Sequence, residues 1–104
     1  MRSGLWLALL VAAPALAHVA IVGGWSAVAR PNHDAAVRAA AEALVAQLPG
    51  GDVRLHRIER AAQQVVAGMN YRLTVRLANR HLWRGTVWHK LDGTYVVTES
   101  VRIK

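Results

Sequence analysis

The feature that most restricts the fold is a change of hydrophobic period at Pro49-Gly50-Gly51. Before it, Val37, Ala40, Ala41, Leu44 and Leu48 recur at helical spacing, so a helix over Ala35–Leu48 carries one apolar stripe that needs a partner surface. Pro31-Asn32-His33-Asp34 supplies the helix start, with Asn32 or Asp34 as the residue whose side-chain oxygen caps a free N–H. After the break the period becomes two. Val53–Gln63 reads as a first long strand with imperfect alternation, and Tyr71, Leu73, Val75 and Leu77 then alternate with Arg72, Thr74 and Arg76. Trp83–Lys90 and Tyr95–Ile103 follow, joined across Leu91-Asp92-Gly93-Thr94, where Asp-Gly is a tight-turn signal. With a short strand at Trp25–Ala29, the expectation is an α+β roll: one α-helix packed on a four- to five-stranded antiparallel sheet.

The chain has 104 residues, enough for the core of one small domain. Arg2, the apolar run Leu5 to Ala13, Pro14 and Ala15-Leu16-Ala17 follow the order of a secretory signal peptide cleaved after Ala17. Residues 1–17 are therefore read as a signal peptide and residues 18–104 as the domain. The competing reading is an uncleaved anchor, against which Pro14 and His18 weigh. Loss of Arg2 with the signal leaves twelve basic against six acidic residues, a formal charge of +6. Such a surplus favours acidic partners, although solubility alone also explains it. With no cysteine, disulfides, thiolate metal sites and cysteine nucleophiles are excluded. Alanine, arginine and valine richness with the short signal points to export into a bacterial periplasm or the extracellular space.

Between the first two long strands stands Gln63-Gln64-Val65-Val66-Ala67-Gly68, whose last five residues match the Gln-Val-Val-Ala-Gly signature of the cystatin family. The resemblance runs further. Val22-Gly23-Gly24-Trp25 stands where cystatins carry a glycine-ended N-terminal trunk, and Thr86-Val87-Trp88-His89-Lys90 looks like the strand leading into their second hairpin. Without cysteine, the chain is more similar to the stefin and plant-cystatin branches than to the secreted animal type. The resemblance implies a reversible competitive inhibitor of papain-like cysteine proteases, entering the active-site cleft as a wedge of trunk and two hairpin loops. On that analogy Ile21 and Val22 fill non-primed pockets, Gly23 and Gly24 bend the chain from the catalytic thiolate, and Gln64, Val65, Val66, Ala67 and Gly68 cover the cleft centre. One position departs from the pattern. Cystatins usually show Pro-Trp at the second hairpin tip, where this chain has Leu91 and Asp92, so the aromatic anchor is missing and weaker binding is expected.

Apart from the resemblance, a Val-Val-Ala hairpin tip suits a cleft that accepts extended backbone and small apolar side chains. Gly68 can take the positive φ of a turn, and Gln64 offers an amide. His18, His33, His56, His81 and His89 show no ligand spacing and join no carboxylate pair, so neither a metal, a cofactor nor an enzyme activity is expected. The runner-up function is a non-inhibitory exported binding domain. Arg72 and Arg76 share one strand face, and with Arg54, Arg60, Arg84 and Lys90 they offer a basic sheet surface to an acidic partner, with no specific nucleic acid expected. Trp83 and Trp88 lie five apart on one strand and so face opposite ways, with Trp83 read as inward. The expected state is a monomer, or a dimer swapped by straightening the Gln64 to Gly68 hairpin.

Overall fold

The computed structural model describes residues 24–104. The signal-peptide reading, and Ile21, Val22 and Gly23 of the trunk, lie outside the described residues. Among the described residues the elements run in the order β1 (Trp25–Ala27), a 3-10 turn (Pro31–His33), α1 (Ala35–Val45), β2 (Leu55–Val66), β3 (Gly68–Leu77), β4 (Leu82–His89) and β5 (Tyr95–Arg102). Each strand pairs antiparallel with the next, giving a five-stranded sheet in sequence order with the helix laid across one face. This is the expected α+β roll.

The helix begins where Asp34 accepts the Val37 N–H on its side chain at 3.1 Å. Asn32, the other candidate cap, does something else. Its amide donates to the Ile58 carbonyl and accepts the Ile58 N–H, both at 2.8 Å, tying the 3-10 turn to β2. The α-helix ends at Val45, three residues earlier than periodicity suggests, while Leu48 stays buried in the following turn. Val37, Ala40, Ala41 and Leu44 are wholly buried against Ile58, Ala61, Tyr71, Leu73, Val75 and Val87 of the sheet. Gly85 lets the helix come that close, since a Cβ there would lie 2.5 Å from Leu44 Cδ1. Trp83 packs against this core, as read from the sequence.

Strand β2 starts two residues later and runs three residues further than the alternation indicates. The register shifts between Leu55 and Arg57 and again between Ile58 and Arg60. Each shift inserts one residue, so the inward positions fall at Leu55, Ile58 and Ala61. The imperfect alternation is therefore a pair of bulges, which increase twist and coil the sheet around the helix. No helix among the described residues is long and apolar enough to cross a membrane.

Candidate functional site

At one end of the sheet, Val66 pairs with Gly68, so Ala67 alone turns the chain between β2 and β3. So tight a reversal holds Gly68 at φ +95°, and a Cβ on it would collide with the His89 carbonyl oxygen. The position requires glycine on both counts. Trp88 of β4 donates its indole N–H to the Ala67 carbonyl at 2.8 Å, bracing the tip from the far side of β3. Behind the tip, the Asn70 amide donates to Gln64 Oε1 at 2.9 Å. Gln64, Val65 and Val66 are thus strand residues, with Gln64 held from the side, and Ala67 is the turn. Val65 still exposes 38% of its surface.

The second hairpin is closed differently. The Lys90 N–H donates to the Thr94 carbonyl at 2.8 Å and the Gly93 N–H to the Lys90 carbonyl at 3.0 Å. Asp92 Oδ1 accepts both the Thr94 N–H at 2.9 Å and the Thr94 hydroxyl at 2.7 Å. Those bonds, the hydroxyl's first, hold the Asp92 carboxyl below the usual carboxylate range. At the base, the rings of His89 and Tyr95 stack 4.2 Å apart and 2° from parallel. Leu91 is 81% exposed and reaches out from the turn. The Asp92 carboxylate is thus folded back into its own loop.

The trunk's entry lies at this same end. Trp25 pairs with Gln64, and Gly24 before it is exposed. Arg72 lies over the Trp25 ring at 3.9 Å and packs on the first residue of β1. Gly24, the Gln64 to Gly68 segment and Leu91-Asp92 are thereby brought to one edge, with the His89 and Lys90 backbone directly behind Gly68. Sequence reasoning missed the Trp88 bond and the Arg72 stack, because Trp88 reaches from β4 to the turn before β3 and Arg72 reaches across β2 to Trp25, contacts set by a register that no local pattern reveals. Among the described residues no cluster of three or more His, Cys, Asp or Glu stands ready for a metal.

The family model described as Cystatin domain matches residues 23–96. The chain belongs to the cystatin family. Cystatins are cysteine protease inhibitors and not enzymes. Among solved structures, this cystatin is similar to a salivary cystatin from the soft tick Ornithodoros moubata. The two share 21% sequence identity with a TM-score of 0.62, over 81% of this chain and 100% of the tick chain, a likeness that speaks to the fold. No curated protein matches the chain.

Proposed function

We propose that this cystatin is a reversible, competitive inhibitor of papain-like cysteine proteases, which it blocks by seating Ile21 to Gly24, Gln64 to Gly68 and the Leu91-Asp92 tip in the active-site cleft. The observation that carries this reading is the convergence of the trunk's entry and both hairpins on one edge of the sheet, through the Trp25–Gln64 pair and the close approach of Gly68 to His89. The first hairpin is preorganised by the Trp88 bond, so docking costs it little conformational freedom. Leu91 offers the second loop's apolar contact in place of the missing aromatic.

The functional form in this proposal is the exported chain from His18 onward, acting on a protease in the periplasm or outside the cell. Cleavage after Ala17 leaves a short apolar arm ahead of the Gly23-Gly24 hinge. N-terminal sequencing of the exported protein is expected to read His18 first.

Titration of papain with the 18–104 protein tests the mechanism. Stoichiometric, reversible inhibition competitive with substrate is expected, together with its loss when Gln64, Val65 and Val66 are replaced by glycine. Inhibition that survives those replacements would remove the first hairpin from the mechanism.

A further inference from the structure

The face of the sheet turned away from the helix carries a groove lined by Arg60, Arg72, Arg76, Arg84, Leu82 and Ile103, together with Glu59. Register brings these side chains together. Arg60 and Arg84 stand on either side of Thr74, in the strands before and after it, and Arg76 lies between Arg57 and Leu82 in the next row. Two strand spacings separate Arg60 from Arg84, roughly 10 Å.

These arginines are not equally committed. Arg76 pairs with Glu59 at 3.3 Å and Arg72 covers Trp25. Arg60 and Arg84 are exposed and make no hydrogen bond or ion pair with any described residue. The acids on this face are engaged already, Glu59 by Arg57 and Arg76, and Glu99 by the Thr86 hydroxyl at 3.1 Å. Two guanidinium groups therefore face solvent while the carboxylates nearest them, Glu59 and Glu99, are bonded to other side chains.

Beside them lies an aliphatic border. Val101 pairs directly with Arg84 and is 40% exposed, and Ile103, just past the end of the outer strand, lines the groove and is 41% exposed. Free cations next to exposed aliphatic side chains match a membrane surface, where headgroup phosphates take the charge and the acyl boundary takes the apolar atoms. A single-stranded nucleic acid asks instead for open aromatic rings on which to stack its bases. Here the Trp25 ring is covered by Arg72, and Lys90 stands over Trp88 at 5.4 Å.

We propose that this outer face binds membrane surfaces rich in anionic phospholipid, through Arg60 and Arg84 with Leu82, Val101 and Ile103 beside them. The site is separate from the inhibitory edge. Val66 lies six positions along the strand from Arg60, a distance of roughly 20 Å, so a surface-bound molecule keeps its hairpins free.

The test is partition of the exported protein onto vesicles of phosphatidylcholine with 30% phosphatidylglycerol, against phosphatidylcholine alone. Binding is expected only to the anionic vesicles. Each arginine near such a surface strengthens binding roughly fivefold, so Arg60→Gln with Arg84→Gln should weaken it by at least about tenfold. The pair Val101→Ser and Ile103→Ser should weaken it by about threefold or more, and neither pair should alter papain inhibition. Equal binding to neutral vesicles would overturn the proposal. So would binding that ignores the serine pair while single-stranded DNA competes it away, which would mark the face as a general polyanion surface. All four side chains are exposed, and circular dichroism of the variants confirms that they fold.

Discussion

The two hairpins at this edge of the sheet are built on opposite plans. The first turns on one residue and is held by its neighbours: Gly68 has no room for a side chain beside His89, and Trp88 reaches across to the Ala67 carbonyl. The second turns on the five residues between His89 and Tyr95 and holds itself, with Asp92 and Thr94 closing the loop and Leu91 touching little else. A loop clamped by the sheet cannot vary without disturbing the fold, whereas a self-closed loop can exchange its tip freely. The match to the family signature and the departure from the family pattern therefore fall where the physics allows each.

The largest effect should come from placing a methyl group where the first hairpin has no space. Gly68→Ala meets both the positive φ and the His89 carbonyl, and should cost on the order of 2 kcal/mol or more in chemical denaturation, with papain inhibition weakened in parallel. A variant of parental stability would show that the clamp is slack. Next comes a change to the free loop. Replacing Leu91-Asp92 with Pro-Trp should tighten inhibition by about tenfold while leaving the denaturation midpoint nearly unmoved, because an aromatic anchor adds contact area without touching the core. An unchanged inhibition constant would exclude the second hairpin from the interface.

Trp88→Phe removes the bond to Ala67 and keeps most of the ring. A loss of about 1 kcal/mol is expected, with inhibition reduced several-fold and the sheet intact by circular dichroism. The smallest effect is Asp92→Ala. The Asp92 carboxyl ionises below its ordinary range in the folded chain, so its closing bonds are complete above the ordinary carboxylate pKa and are lost as pH falls through the depressed value. The Thr94 amide resonance should report that titration in the parent and be flat in the variant.

Legibility in the sequence followed the range of the interactions. The helix stripe and the β3 alternation are local patterns, and Val37, Ala40, Ala41, Leu44 and the inward β3 residues are buried as read. Strand β2 was harder, because two bulges give Leu55, Ile58 and Ala61 a spacing of three that alternation cannot describe. At the edge, the hairpin tips were legible from Gly68 and from Asp92-Gly93, since turn chemistry is local. The braces were not. Asn70 on Gln64, Trp88 on Ala67 and Arg72 on Trp25 depend on strand register.

The Asn32 amide has a bearing on solubility. Strand β1 pairs with β2 only from Ala62 to Gln64, with one further bond from the Val28 N–H to the Ala61 carbonyl. The rest of that edge, toward Leu55, would offer bare N–H and C=O groups to any extended chain that drifted past. Asn32 supplies at Ile58 the donor and the acceptor that such a chain would bring, so one side chain fills the berth and denies an aggregating strand its first foothold.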